Sequence, residues 1–153
     1  MSNRPNPYAV AYPLVQPLID FSTTVAEMGL EPSLVELIKI RASQINGCAM
    51  CLHMHTRDAI KAGESEMRIF LLDAWRESPL YSERERAAMG WTEVLSVLGD
   101  EAARERAYEA VAAQFTPEEQ VKLTLMISAI NAFNRLNLAF RVKHPAAASR
   151  VAA

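Results

Sequence analysis

The sequence NGCAMCLHMH occupies residues 46–55 and holds both cysteines and two of the three histidines of the 153-residue chain. On an α-helix each residue advances by about 100°, so Cys51 falls near ~300° and His55 near ~340° from Cys48. These three side chains therefore share one face of a predicted helix. His53 falls near ~140° by the same step and lies on the other side. The spacing thus selects Cys48, Cys51 and His55 as candidate site residues.

The residues before Cys48 indicate that one helix ends there and another begins. Gly47 suits the end of a helix, and Asn46 can cap the next one. We therefore expect Cys48 in the first helical turn, where free backbone N–H groups and the helix dipole favour a thiolate. His55, one turn after Cys51, can accept a thiol proton. A helix N-terminus and a nearby histidine both lower the pKa of a thiol. The pattern therefore predicts a dithiol site that attacks a peroxide or a disulfide.

Two other interpretations of the same residues remain open. Cys48, Cys51 and His55 match zinc-ligand types, with Glu36 or His53 as a fourth ligand. The cysteine pair is also compatible with ordinary packing in a helix. A single cysteine pair without a second one is a weak zinc signal, and the dithiol hypothesis requires neither a metal nor a cofactor.

A histidine base needs its other ring nitrogen oriented, and a carboxylate is the usual partner. Glu36 is the candidate, because it lies in the preceding predicted helix among apolar residues. Glu31 and Asp58 also lie near enough in sequence to serve. Position in the sequence alone does not decide among the three.

Hydrophobic periodicity predicts an all-α bundle of about seven helices, without an alternating strand pattern. The strongest helix start is the segment TPEE at 116–119, and the helix that follows is apolar around most of its circumference, which predicts a central, buried element. Residues 1–153 are expected to form a single domain, with an extended N-terminal arm over 1–12 and a tail over 142–153. The predicted helices cover residues 14–28, 32–45, 48–61, 65–75, 82–98, 101–113 and 117–141.

Composition narrows the classes of function. The formal net charge is −2, which argues against a nucleic-acid partner. The N-terminus lacks the apolar stretch of a signal peptide, and no apolar run approaches the ~18 residues of a membrane helix, so we expect a cytoplasmic protein without a membrane partner. The apolar segment 67–72 and the proline-rich arm offer more apolar surface than a small domain hides easily. We therefore expect a homo-oligomer.

Glu36 followed by Cys48-x-x-Cys51-x-x-x-His55 resembles the signature of the alkylhydroperoxidase D-like (AhpD-like) proteins of the carboxymuconolactone decarboxylase superfamily. The flanking sequences are also similar, at IRASQINGC (40–48), SERERAA (82–88), WTE (91–93) and INAFNRL (130–136). The resemblance implies an all-α fold, symmetric homo-oligomers that are often trimers or hexamers, and a relay in which Glu36, through a water, orients His55 to deprotonate a site cysteine.

The resemblance implies a thiol-dependent peroxidase that reduces hydroperoxides and is regenerated by a dithiol reductant of unknown identity. We expect Cys51 to attack and Cys48 to resolve. The alternative is a non-catalytic oligomeric protein that uses the same cysteines as a redox sensor or to bind zinc. The best-studied branch has a second histidine between the cysteines where this chain has Ala49-Met50, so that branch's efficiency and reductant are not carried over. The lactone-decarboxylase branch uses no cysteine pair.

Overall fold

Helices form all of the regular secondary structure of residues 4–145, which are the residues that this computed structural model describes. The all-α prediction is therefore confirmed for that part of the chain. No helix in the described range combines the length and the apolar character needed to cross a bilayer. The helices are α1 Pro7–Val10, α2 Tyr12–Ala26, α3 Pro32–Asn46, α4 Ala49–Lys61, α5 Glu66–Phe70, α6 Glu83–Ser96, α7 Glu101–Gln114 and α8 Pro117–Phe140, with a 3₁₀ turn at Leu72–Ala74 between α5 and α6.

The seven predicted helices correspond to α2 through α8, and α1 is an addition. The prediction of an extended arm is wrong for residues 7–10. Asn6 caps α1 by accepting a hydrogen bond from the Tyr8 backbone N–H at 3.0 Å, and Pro7 occupies a favoured first helical position. Residues 1–3 of the predicted arm lie outside the described residues. In the predicted tail, 142–145 are non-helical, and 146–153 also lie outside the described part.

Two capping boxes set where the long helices of the second half begin. Ser82 and Glu85 exchange side-chain and backbone hydrogen bonds at the start of α6, and Thr116 and Glu119 do the same at the start of α8. Each box satisfies two backbone N–H groups that a helix start leaves without partners. Helix α8 packs against α2, α3, α4, α6 and α7, which makes it the central element that the sequence predicted.

Helix α3 connects the parts of the core. Ile38 lies fully buried in the largest apolar cluster, among residues of α3, α6, α7 and α8. Leu37 lies in a second cluster, with Leu72, Trp75 and other residues around the 3₁₀ turn. Near its end, Ala42 packs in a third, smaller cluster that includes both cysteines and a residue of α8. The segment before the cysteines is therefore held on several sides by buried apolar packing.

Candidate active site

The junction between α3 and α4 sets the position of Cys48. Helix α3 ends at Gly47, whose φ of 69° is left-handed, a conformation that glycine adopts without a Cβ penalty. The backbone N–H of Cys48 then donates to the carbonyl of Ser43 at 3.0 Å. Cys48 itself caps α4, because its Sγ accepts the Cys51 backbone N–H at 3.3 Å.

The expected capping role of Asn46 is wrong. Asn46 is the last residue of α3, and its amide turns back to donate to the Ala42 carbonyl and to the side chains of Asn131 and Asn134 on α8. These contacts hold the end of α3 against α8. Cys48 therefore takes the cap position, one residue before the first turn in which it was predicted.

Cys48 and Cys51 form a disulfide, with their Cα atoms 5.4 Å apart, a separation typical of disulfides. Both residues are almost fully buried, with exposed fractions of 1% and 2%. Cys51 faces a cavity of about 700 Å³ that His55 also lines. Cys48 instead lines a smaller, neighbouring pocket of about 400 Å³. The two sulfurs thus have different surroundings, although they are bonded to each other.

His55 is held by a carboxylate from the preceding helix. Its Nδ1 lies 3.0 Å from Oε2 of Glu36, and both side chains are largely buried. The other two candidate carboxylates have different partners: Glu31 binds Arg84 at 2.7 Å, and Asp58 lies 3.9 Å from Lys61. The structure therefore brings Glu36, and neither of these, to His55.

Glu36 is ionised in this arrangement. Burial opposes its charge, but the hydrogen bond from His55 and the charge of Lys39, 2.8 Å away, outweigh it and lower the pKa of the carboxyl. An ionised carboxylate can only accept, so Nδ1 of His55 carries the hydrogen. Nε2 is then the basic nitrogen of the ring, which is the tautomer that proton abstraction requires.

A second polar chain reaches Cys51 from α8 and α1, through residues that also line the cavity. The side-chain amide of Asn137, on α8, donates to the Cys51 sulfur at 3.2 Å. The hydroxyl of Tyr8, on α1, donates in turn to Oδ1 of Asn137 at 2.9 Å. Sequence reasoning missed both residues at the site. The sequence signal for Asn137 was the recurrence of asparagine every three residues at 131, 134 and 137, and this recurrence does not indicate which residues the side chains contact.

The three asparagines form a buried polar seam along α8, each with an exposed fraction of 6% or less. Asn131 donates to Ser96 of α6 and Asn134 to Ser43 of α3, both at 3.0 Å. The seam ends at Asn137 beside Cys51. The first two asparagines thus fix the helices around the site, and the third contacts the sulfur itself.

His53 lies apart from this site, as its helical position predicted. Its ring stacks on that of His144, with the ring centroids 5.0 Å apart. Among residues 4–145, no group of three or more histidine, cysteine, aspartate and glutamate side chains is placed to hold a metal ion. The candidate site thus combines a cysteine pair, a histidine–carboxylate pair and an amide–phenol pair, and at least one member of each pair lines the same cavity.

Comparison with known proteins agrees with this fold. The model of the carboxymuconolactone decarboxylase family matches residues 14–94. The uncharacterized protein YdfG of Bacillus subtilis (strain 168) is 37% identical over 139 residues, which cover 91% of this chain and 95% of that protein. The chain therefore belongs to the carboxymuconolactone decarboxylase family, as an AhpD-like member.

Solved structures share the architecture. The crystal structure of ATU0492 from Agrobacterium tumefaciens matches with a TM-score of 0.90 and 39% sequence identity, and the match covers 95% of this chain and all of that one. ATU0492 is described as a protein of unknown function and proposed to be the antioxidant defence protein AhpD. The apo debrominase Bmp8 has a TM-score of 0.77 at 18% identity, covering 88% of this chain and 73% of its own. At that identity the likeness to Bmp8 concerns the fold alone.

Proposed function

We propose that the protein is a thiol-dependent peroxidase that reduces hydroperoxides through the Cys48–Cys51 pair. The observation that carries this proposal is that Cys51 and His55 line one cavity while Nδ1 of His55 is bonded to Glu36. A buried base with a fixed tautomer, next to a cysteine that forms a disulfide with its neighbour, is suited to dithiol oxidation.

In the proposed reaction His55, oriented by Glu36 directly or through a water, takes the proton of the Cys51 thiol. The thiolate attacks the terminal oxygen of the hydroperoxide, the O–O bond breaks, and the leaving alkoxide takes a proton to become an alcohol. Cys51 is then a sulfenic acid. The Cys48 thiol attacks its sulfur, water leaves, and the disulfide forms. A dithiol reductant supplies two electrons and two protons to restore both thiols.

Counting thiols tests the proposal directly. The reduced protein is treated with one equivalent of tert-butyl hydroperoxide, and its reactive thiols are counted before and after. We expect two thiols to fall rapidly to zero, and steady consumption of peroxide when dithiothreitol is supplied. Cys51→Ser and His55→Phe should abolish the turnover. Full turnover in Cys51→Ser would overturn the proposal.

His53→Phe is the matched control for the histidine variant. His53 lies on the same helix and two residues away, but its own side chain does not line the cavity, and its ring stacks on the cavity-lining His144. The control should keep the turnover of the unaltered protein. An equal loss in both variants would mean that the effect comes from disturbing α4, and the assignment of His55 as the base would fail.

Slow redox sensing is the second candidate function, favoured by the burial of both cysteines. A slow sensor would lose its two thiols slowly, and with dithiothreitol it would consume peroxide at a correspondingly low rate. The same assay therefore separates the two functions by the rate of thiol loss and of peroxide consumption.

The proposed setting is the cytoplasm, where dithiol donors keep such a pair reduced. A homo-oligomer, a trimer or hexamer, is also proposed, supported by exposed apolar side chains that include Leu14 and Phe70, with exposed fractions of 82% and 71%. Light scattering at micromolar concentration should give the mass of three or six chains. The mass of one chain would contradict the proposed assembly.

A further inference from the structure

Asn137 and Tyr8 have no part in the thiol cycle described above, yet they make a continuous hydrogen-bonded chain to its sulfur. The amide of Asn137 donates to Cys51 at 3.2 Å, and the phenol of Tyr8 donates to that amide at 2.9 Å. Asn137 is buried, with an exposed fraction of 6%. All three residues line the same cavity.

We propose that Asn137 holds the Cys51 sulfur in its thiolate form through an amide N–H donor, and that Tyr8 is the positioning residue that keeps this donor turned toward the sulfur. This role deepens the proposed peroxidase function and rests on it for its purpose. In the structure this hydrogen bond reaches the disulfide sulfur, and its effect on the reduced cysteine can be measured without any peroxide.

The chemistry of the sulfur determines which end of the amide faces it. A disulfide sulfur and a thiolate carry no hydrogen, so each can only accept a hydrogen bond. The NH₂ end of Asn137 is therefore the favourable neighbour, and its oxygen is left for Tyr8. A neutral thiol gains less from this arrangement, because its S–H needs an acceptor that the NH₂ group does not provide. The arrangement thus favours the thiolate over the thiol.

Tyr8 keeps the amide in that orientation because its phenol is protonated. Burial raises the pKa of Tyr8, against the lowering effect of its hydrogen bond with Asn137. A protonated phenol donates to the amide oxygen, whereas a phenolate would repel it. Helix α1, which carries Tyr8, is thus connected to the reacting sulfur through only one intervening side chain.

Other ionisable groups line the cavity or are bonded to a residue that does. His55 comes from α4, with Glu36 bonded to it, and Lys39 comes from α3; the segment after α8 adds two exposed side chains. The test must therefore compare variants in which these groups stay unchanged. The groups concerned are Glu36, Lys39, His55, Lys143 and His144.

The test uses the full chain with Cys48→Ser, so that Cys51 is its one thiol. The rate of alkylation by iodoacetamide is measured across a pH range, and the midpoint of the profile gives the pKa of Cys51. A hydrogen bond to a charged group corresponds to roughly a tenfold effect, so Asn137→Leu should slow alkylation below the midpoint about tenfold. The limiting rate at high pH should be unchanged.

Two further variants sharpen the result. Asn137→Asp puts a carboxylate against the sulfur, and it should raise the midpoint more than Asn137→Leu does, because like charges oppose ionisation. Tyr8→Phe keeps the amide but removes the donor that orients it. It should raise the midpoint by less than Asn137→Leu, and it is the variant that disturbs packing least.

Asn131→Leu is the matched control. Asn131 lies on the same helix with the same exposed fraction of 6%, and it bonds to Ser96 and Asn46 rather than to sulfur. It should lower the free energy of unfolding and leave the midpoint unchanged. Unchanged midpoints in Asn137→Leu, Asn137→Asp and Tyr8→Phe would overturn the inference, as would an equal shift in Asn131→Leu. Failure of peroxide turnover alone would instead count against the peroxidase proposal.

Discussion

Nδ1 of His55 lies 3.0 Å from Oε2 of Glu36, and this contact joins α4 to α3 across 19 residues of sequence. The carboxylate comes from the helix that leads into the cysteine pair, and the imidazole comes from the helix that begins with it. Their contact fixes the ring tautomer and turns Nε2 into the basic nitrogen. The proposed activation of sulfur therefore depends on how these two helices pack.

Replacing Glu36 with glutamine should slow oxidation of the thiol pair without abolishing it. The amide lacks the charge that stabilises protonated His55, and we expect a loss of up to about 10²-fold, at the low end for positioned proton transfer. The measurement is the rate of thiol loss in the reduced protein after a hydroperoxide is added. Glu31→Gln is the control, because Glu31 contacts Arg84 instead; an equal loss in both variants would rule out a specific role for Glu36.

Glu119 should stabilise the folded protein at neutral pH and lose this effect in acid. The hydrogen bond from Arg84, together with the capping contacts with Thr116, lowers its pKa from 4.5 to about 2. A folded-state pKa below the unfolded value means that the contribution is fully present above pH 4.5 and is lost as the pH falls toward 2. Urea unfolding should therefore show the largest difference in the free energy of unfolding between Glu119→Gln and the unaltered protein near neutral pH. This difference should vanish as the pH approaches the folded-state pKa of about 2.

Glu118 provides the comparison for that experiment. It is adjacent in sequence, but its side chain is 78% exposed and pairs only with Lys122, four residues along the same helix. An exposed pair of this kind contributes little. Glu118→Gln should thus change the free energy of unfolding only slightly at any pH, and a loss matching that of Glu119→Gln would contradict the role given to the Arg84 contact.

Gly47→Ala should destabilise the protein and disturb the cysteine pair. At a φ of 69°, a Cβ costs about 1–2 kcal/mol, since L-residues avoid the left-handed region. Gly90→Ala is the opposite case: its added Cβ would lie 3.9 Å from Trp75, an ordinary contact, within helix α6. Alanine favours a helix by about 1 kcal/mol over glycine, so thermal unfolding should show a lower midpoint for the first variant and an unchanged or higher one for the second.

The sequence predicted the features that depend on near neighbours in the chain. The helix start at Thr116 and the end of α3 at Gly47 each involve contacts over three or four residues, which sequence patterns record well. The clustering of Cys48 and Cys51 follows from helical spacing for the same reason. Two local predictions were wrong: the cap of α4, because Asn46 has partners on α8 instead, and the extended arm at residues 7–10, which is helix α1.

Contacts between distant segments could not be predicted in this way. Asn137 meets Cys51 across 86 residues, and Tyr8 meets Asn137 across 129, so no local pattern records either pair. The apolar spacing of α2 was also incomplete as a guide, since Leu14 is 82% exposed while Val15 is buried. Which face of a surface helix is covered depends on packing beyond that helix.

The central claim is that Cys51, activated by His55, is the sulfur that attacks. The most direct measurement treats reduced Cys48→Ser and Cys51→Ser with one equivalent of hydroperoxide in the presence of dimedone, which traps sulfenic acid, and locates the adduct by mass spectrometry. We expect rapid trapping at Cys51 in Cys48→Ser, much slower trapping once His55→Phe is added, and little adduct in Cys51→Ser. Rapid trapping at Cys48 alone would contradict the central claim.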